Sequence, residues 1–356
     1  MPAKALGLAA TVRFCGPSSP TMPAVSILLP VRDAAPYVER ALASLRAQTL
    51  ADLEILAIDD RSRDGSREIL EHHAAADSRI RILEGQGVGL ASALEEARRA
   101  ARAPVVARCD ADDIAHPDRL RVQFARLEAA REPLALGCRV CFFPRPRVGE
   151  GLRLYEAWLN ATCTADAIDR DLFVENPIPH PTLMVAAADL ERAGGWRDVP
   201  WPEDYDLVLR LRRAGCRLEK IPLVRMALRE HERRLTWVDE RYSQAAFVRC
   251  KASHLAEGPL AAAASFAIWG AGPTGKRLAR ALEAHGLKPE FFIDIDRAKV
   301  GRRRRGREVV APEALRVRQP SLVLGVVSSR GARAIIRGRL SREFGRLEGR
   351  DFIMCA

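Results

Sequence analysis

Val25-Ser26-Ile27-Leu28-Leu29-Pro30-Val31-Arg32-Asp33 opens with an apolar, β-prone run, Val25–Leu29, that closes at Pro30. Working outward from it, Tyr37–Gln48 has helical spacing, with Val38, Leu42 and Leu45 on one face. Leu53–Ile58 is a second apolar run and ends abruptly at Asp59-Asp60. Arg67–Ala75 reads as a helix, Ile80–Leu83 as a short strand and Leu90–Ala101 as a third helix. Val105–Arg108 is a further strand, ending at Cys109-Asp110-Ala111-Asp112-Asp113. Strands alternating with helices at this spacing predict an α/β fold, a mainly parallel sheet with helices on both faces. Ligands of such sheets bind beyond the carboxyl ends of the strands. Both acidic clusters fall at such ends.

A second pattern starts after the Ala-rich stretch Leu260–Ala264. Phe266–Trp269 reads as a strand, followed by Gly270-Ala271-Gly272-Pro273-Thr274-Gly275, a helix to His285, and a strand Glu290–Ile293 that ends in Asp294. Leu322–Val327 and Ala332–Phe344 add another strand and helix, giving a small Rossmann-like α/β unit over 262–356. Gly270, Gly272 and Gly275 have dinucleotide-binding spacing, and Asp294 lies nineteen residues after Gly275, suited to a ribose hydroxyl. No Tyr-x-x-x-Lys pair follows. A structural or docking role therefore ranks ahead of NAD(H) or nucleotide binding for this unit.

The chain has 356 residues, 48% of them hydrophobic and 29% charged, which suits about two globular domains. The first is placed at 23–257 and the second at 262–356. Residues 1–22 are rich in Pro, Ser, Ala and Gly and read as a disordered tail or a mis-assigned start, with Met22 as an alternative beginning. No apolar run approaches the roughly 18–20 residues of a membrane span. Eight cysteines are scattered, and the leading residues lack the apolar core of a secretory signal, so a reducing cytoplasm is expected. Cys138 and Cys141 have C-x-x-C spacing without a second half and read as strand-packing thiols.

Residues 262–356 hold 20 Lys+Arg against 9 Asp+Glu, which accounts for the whole net charge of +11, while the rest of the chain is balanced. Such a surface is either a solvated face or a contact with an anionic membrane, an anionic glycan or a partner protein. Few aromatics accompany it and no nucleic-acid motif is present, so nucleic acid is not expected.

A carboxylate cluster in a turn after a strand can cap a helix, hold a divalent cation or carry protons. Asp64, in Asp64-Gly65-Ser66, and Asp118 read as helix-start residues. Asp110, Asp112 and Asp113 repel one another unless a cation or hydrogen-bond donors neutralise them.

Taken together, the first run, Ile58-Asp59-Asp60-Arg61-Ser62-Arg63-Asp64-Gly65-Ser66, the Asp110–Asp113 cluster, Asn176-Pro177-Ile178-Pro179-His180-Pro181-Thr182 and Trp201-Pro202-Glu203-Asp204-Tyr205-Asp206-Leu207 resemble the family 2 glycosyltransferases of GT-A fold. The resemblance covers about residues 24–255. It implies an inverting transferase that moves a sugar from a nucleotide-sugar donor, usually UDP-linked, to a hydroxyl of a cell-surface glycan or lipid-linked precursor. It implies Mg²⁺ or Mn²⁺ between the diphosphate and the carboxylates, with Asp112 as metal contact, Asp110 near the ribose or metal, Asp113 behind them and His231 approaching the metal. Pro30, Arg32, Asp33 and Asp60 fall on donor-binding positions, Asp60 toward the base. Asp204 matches the catalytic base, at the start of a helix Leu207–Arg213 whose positive end is expected to keep it ionised. Glu203 shares that loop and a capping alternative, and Asp206 reads as structural. His180 and Trp201 are placed on the acceptor side. Trp201 and Trp196 read equally as sugar-stacking or as core residues. The loop Gly85-Gln86-Gly87-Val88-Gly89 lets backbone approach a donor. Arg61 stands where the family often has Gly, and Glu95 near where many members carry Asn.

Two rival readings remain on the sequence. One is a dinucleotide-dependent oxidoreductase acting on a nucleotide sugar, and the other is a non-catalytic nucleotide-sugar-binding scaffold. Cytoplasmic residence, with peripheral contact at the inner membrane face, follows from the transferase reading.

Overall fold

The computed structural model describes residues 22–356; the reading of a tail over 1–22 lies, but for Met22, outside them. The first sheet has eight strands: β1 Val25–Val31, β2 Leu53–Asp59, β3 Ile80–Glu84, β4 Val105–Arg108, β5 Ile114–Ala115, β6 Leu134–Phe143, β7 Met184–Ala186 and β8 Arg217–Arg229. Their order is β3-β2-β1-β4-β7-β6-β8-β5. β1 to β4 are mutually parallel where they pair, whereas β7 runs antiparallel to both β4 and β6, and β5 antiparallel to β8. The result is a mixed α/β sheet, parallel in the half that carries the acidic strand ends.

β1 and β2 are buried along their whole length, as expected of parallel strands covered on both faces. Alternate residues serve two cores. Val25, Ile27 and Leu29 pack with Val38, Leu42 and Leu45, while Leu28 packs with Leu56, Leu94 and Tyr205 on the other face. β1 continues through Pro30 to Val31, two residues beyond the sequence reading. Pro30 pairs in register with Ile58 of β2, but β4 stops pairing at Leu28, so one side of Pro30 has no ladder to interrupt. Cys138 is buried in β6 and Cys141 is half-exposed, in line with an alternating strand that points them to opposite faces.

The second sheet comprises β9 Phe266–Trp269, β10 Phe292–Ile293, β11 Arg303–Arg304, β12 Arg307–Val310, β13 Leu322–Gly325 and β14 Phe352–Met354, in the order β11-β12-β10-β9-β13-β14. All are parallel except the β11–β12 hairpin. The expected strand Leu322–Val327 ends at Gly325, and the expected helix Ala332–Phe344 is α-helical only to Gly338 before a π segment Arg339–Glu343. The helix Gln244–Glu257 joins the two sheets: its Cys250 enters the first unit's core, and its Ala252 and Leu255 pack with Phe266 and Leu278.

Candidate functional site

The carboxyl ends of β1, β2 and β4 open on a cleft of ≈ 1240 Å³. Pro30, Arg32, Asp33, Asp60, Asp110 and Asp112 line it, and so do His180, Asp204 and His231, from elements far apart in the chain. The fold thus gathers nine of the sequence-derived site residues. Trp201 and Glu203 do not line it.

Asp60 is almost fully buried. Its carboxylate accepts from the Gly87 N–H at 2.7 Å, the Gly89 N–H at 3.2 Å and Arg32 at 3.1 Å. Asp60 therefore shapes the Gly85–Gly89 loop, which Arg32 also clasps through the Gly87 carbonyl. Asp33 has a positive φ of 47°, and its carboxylate accepts from the Arg63 N–H at 2.8 Å. Arg61 also has a positive φ, 60°, a conformation that favours glycine and accounts for the small residue expected there. Asp64 behaves as a cap: its carboxylate accepts from the Ser66 N–H at the start of helix Ser66–Ala76 and from the Ala35 N–H at the start of helix Ala35–Arg46.

The acidic turn after β4 sits beside a buried cation that the sequence reading passed over. Arg108, at the last position of β4, is 1% exposed, and its guanidinium stands 2.5 Å from Asp110 Oδ1. A charge closing an otherwise apolar strand, directly ahead of three carboxylates, was the available signal. Asp112 Oδ2 lies 2.7 Å from His231 Nε2, and the Arg229 guanidinium donates to the Asp112 carbonyl at 2.8 Å. The His231 ring leans on Tyr37, with centroids 4.6 Å apart. Burial works against the charge on Asp112, but the His231 hydrogen bond and the Arg234 charge win and hold its pKa below the ordinary carboxylate value. Asp113 goes the other way. Burial, then the neighbouring Asp112 and Asp110 charges, raise its pKa well above normal, against the hydrogen bond from the Arg229 N–H. Carboxylate oxygens of Asp110, Asp112 and Asp113 lie within 4.8 Å of one another, and Asp113 Oδ2 is buried without a partner. Clustered, under-neutralised hard oxygens are the donor set of Mg²⁺, Mn²⁺ or Ca²⁺.

Across the cleft, Asp204 lies in the first turn of helix Glu203–Arg213, which starts four residues earlier than its apolar spacing predicts. Asp204 Oδ2 accepts from Asn176 Nδ2 at 2.9 Å and Oδ1 from the Tyr205 N–H at 2.7 Å. The helix start is not what dominates its ionisation. Burial, followed by the adjacent Glu203 charge, outweighs the hydrogen bonds and Arg108, and pushes its pKa up to about 7.

Two residues expected on the acceptor side stand outside the cleft's lining. Glu203 is buried behind it, where the Tyr242 hydroxyl donates to it at 2.7 Å. Trp201 gives its indole N–H to Asp206 at 3.2 Å and, partly buried, packs against the core. Asp206 is structural, as expected: Arg210 and His254 occupy its carboxylate at 2.7 and 2.9 Å, which accounts for its closeness to Cys250 without a metal. Trp196 is a core residue, and its indole N–H donates to His180 Nε2 at 2.8 Å. Burial, assisted by Arg108, lowers the pKa of His180 well below its ordinary value, so its imidazole is neutral.

The cleft also presents the ring of Trp237, six residues after His231. It is 61% exposed, lines the cleft, and is fixed by its indole N–H donating to Glu230 Oε1 at 2.7 Å. No spacing rule singles it out; it lies in the short helix Leu235–Val238, an irregular return from β8 to the linking helix.

In the second unit, two of the three motif glycines are packed too closely for a side chain. Gly270 has a φ of +130° and its α-carbon faces the Val326 carbonyl, while Gly275 backs directly onto the Gly270 carbonyl. Asp294 Oδ2 accepts from the Ala271 N–H at 3.0 Å and from Lys299 at 3.2 Å, so this carboxylate ties down its own glycine loop. Among the described residues, no helix is long and apolar enough to cross a membrane.

Residues 26–189 match the family model described as glycosyl transferase family 2. An uncharacterized glycosyltransferase, EpsJ, of Bacillus subtilis is 39% identical over 92 residues, 26% of this chain and 27% of its own length. An uncharacterized glycosyltransferase of Haemophilus influenzae is 28% identical over 201 residues, 54% of this chain and 62% of its own. The chain thus spans less than two thirds of the length of either relative. The solved structure of S. aureus TarS 1-349 in complex with UDP-GlcNAc superposes with a TM-score of 0.52 at 16% identity, covering 73% of this chain and 72% of that one, which is a likeness of fold. The matched segment, residues 26–189, carries both acidic strand ends at the mouth of the cleft, and over that segment the chain is similar to glycosyl transferase family 2.

Proposed function

We propose that the chain transfers a sugar from a nucleotide-sugar donor to a hydroxyl of a glycan or lipid-linked acceptor, with inversion at the anomeric carbon. One observation carries the reading: Asp60 and Arg32, the Asp110–Asp112–His231 group, and Asp204 face one another across a single cleft. The first group suits a nucleoside, the second a diphosphate, the third an attacking hydroxyl. UDP is the nucleotide favoured by the sequence resemblance, and a protein of the same fold has been captured with UDP-GlcNAc.

The acidic turn fits a divalent cation, because its carboxylates are clustered and Asp113 keeps one oxygen without a donor. Asp112, with Asp110 and His231 beside it, would hold the ion, whose chemistry is to neutralise the charge that develops on the departing diphosphate. Arg108 holds the carboxylate of Asp110 and places positive charge at the floor of the cleft.

Asp204 acts as the base for the acceptor hydroxyl. A pKa near 7 suits that task, since a general base works best when its pKa lies close to the operating pH. Asn176 and the Tyr205 N–H fix both carboxylate oxygens, leaving the remaining lone pairs for the acceptor. A lone base on one side and a leaving diphosphate on the other give a single displacement and inversion. We read the basic face of 262–356, with Arg302, Arg303 and Arg305 exposed on the β11–β12 hairpin, as a contact for an anionic membrane surface near the acceptor.

The test is a panel of UDP-, GDP-, dTDP- and CMP-sugars with Mn²⁺ or EDTA, read as thermal shift and nucleotide release. Binding to the native state raises the melting temperature by mass action. A Mn²⁺-dependent shift with one nucleotide, lost in Asp112→Ala, supports the transferase and identifies the donor class. A metal-independent shift with NAD(H) alone would overturn it in favour of an oxidoreductase.

A further inference from the structure

A second cavity, of ≈ 370 Å³, lies between the two sheets. Its floor is the switch point of the second sheet, where β10 flanks β9 on one side and β13 on the other. Thr274, after β9, and Ser328, after β13, both line the cavity, with their hydroxyls 3.1 Å apart. Open parallel sheets take ligands in the crevice beyond the strand ends at such a point. The opposite wall comes from the first unit and includes Lys251 and Glu175. Glu175 also lines the donor cleft, so a single layer of side chains separates the two spaces.

The walls carry two cations, Lys251 and Arg333. Lys251 is only 8% exposed, yet faces this cavity. Its ammonium group donates to the Val174 carbonyl at 2.6 Å and the Cys355 carbonyl at 3.3 Å, which leaves one of three donors without a protein partner. Arg333 lines the same wall, with its Nε donating to the Ala356 main-chain oxygen at 3.0 Å and its Nη1 3.9 Å from Asp171. The helix Pro273–Glu283 brings its first turn to the cavity with no side-chain cap, and a Cβ on Gly272 would meet nothing within 4 Å. Glu175 is the one acidic side chain in the lining, and it accepts from the Asn176 N–H. Two cations and an uncapped helix start around a cavity at the small end of the roughly 300–1,000 Å³ typical of ligand pockets make an anion site. A dinucleotide does not suit it, because Asp294 is engaged with Ala271 and Lys299 and lies outside the lining.

We infer that this cavity is a second ligand site, for a phosphate monoester no larger than a sugar phosphate, with the phosphate between Lys251, Arg333 and the first turn of helix Pro273–Glu283. Neither cation belongs to the donor cleft, so the inference stands apart from the transferase reading. Titration calorimetry on the full chain tests it, with a hexose 1-phosphate as the probe and inorganic phosphate as competitor. The expected result is saturable binding that inorganic phosphate displaces and that Asp112→Asn, in the other cleft, leaves unchanged. Thr274→Glu and Ser328→Glu, rim variants that spare the buried Lys251, should each weaken it by about tenfold or more through like-charge repulsion, with melting temperatures near wild type. Absence of saturable binding, binding indifferent to both rim variants, or binding lost in Asp112→Asn would overturn the site. NADH binding abolished by Thr274→Glu would overturn the monoester assignment.

Discussion

Asn176 Nδ2 donates to Asp204 Oδ2 across 2.9 Å, joining the loop before β7 to the first turn of helix Glu203–Arg213. The bond aims a buried carboxylate into the cleft. It also favours the charged form, in a place where burial and Glu203 favour the neutral one.

Turnover should therefore rise with pH through about 7, as Asp204 loses its proton. Asn176→Leu removes a donor to the carboxylate and should move that limb to higher pH, while leaving nucleotide affinity unchanged. Asp204→Asn should lower kcat by about 10²–10⁴-fold, the usual contribution of a general base. Stability should respond in the opposite sense. A carboxyl whose pKa is raised on folding is stabilising below its unfolded pKa, near 3.8, and loses that contribution as pH rises through about 7. Asp204→Asn should thus melt higher than wild type at pH 8, and a lower melting temperature there would count against a buried, raised Asp204.

Chelation supplies a second expectation. With Asp112 held by His231 and Asp113 left with an unpartnered oxygen, the acidic turn is set up for a cation rather than for direct contact with a diphosphate. EDTA should abolish transfer, and Mn²⁺ or Mg²⁺ should restore it. Asp112→Asn should cost several kcal/mol of transition-state stabilisation, about 10²–10³-fold in kcat. His231→Gln should weaken the metal dependence while leaving the fold intact, since His231 lies just past the end of β8 and its ring meets Asp112, Tyr37 and the Arg233 N–H rather than the core. Full activity in EDTA would remove the cation from the reading.

The ends of β1, β2 and β4 were legible because parallel strands covered on both faces read as unbroken apolar runs, and acids that break such runs mark the ligand edge. The other half of the sheet was not. β8 runs Arg217–Arg229 with three charges in its first four residues, and its pairing with β6 shifts register between Cys138 and Val140. Neither alternation nor a continuous apolar run survives that. The raised pKa of Asp204 was not legible because helix position is visible in a sequence and desolvation is not. Trp237 did not stand out beside Trp201 for a related reason: residue type was legible, but which ring faces solvent depended on Asp206 and Glu230, the carboxylates that receive their indole N–H groups.

The position of Trp237 is testable. Trp237 presents a fixed, exposed ring to the cleft, and stacking against a sugar is worth roughly 0.5–1.5 kcal/mol by analogy with other aromatic contacts. Trp237→Ala should raise the acceptor KM by about 2–10-fold, with the donor KM unchanged. Trp201→Phe removes the hydrogen bond to Asp206 and should lower the melting temperature without altering the acceptor KM. If Trp201→Phe alone affected the acceptor, the original assignment of that side would stand.

The glycine loop of the second unit makes the last case. Gly275 faces the Gly270 carbonyl so closely that no methyl group fits, and both atoms belong to backbone held by β9 and helix Pro273–Glu283. Gly275→Ala should therefore cost about 1–3 kcal/mol, the usual penalty for overpacking, and lower the melting temperature. Gly272, at the start of the same helix, has a negative φ and open space where a Cβ would stand, so Gly272→Ala should cost under about 1 kcal/mol. A dinucleotide site would reverse the emphasis: both variants would impair NAD(H) binding, and the stability cost would be secondary. Melting both variants with and without NADH separates the two. A cofactor-independent loss confined to Gly275→Ala assigns the loop to packing, and a cofactor-dependent loss in both restores it to binding.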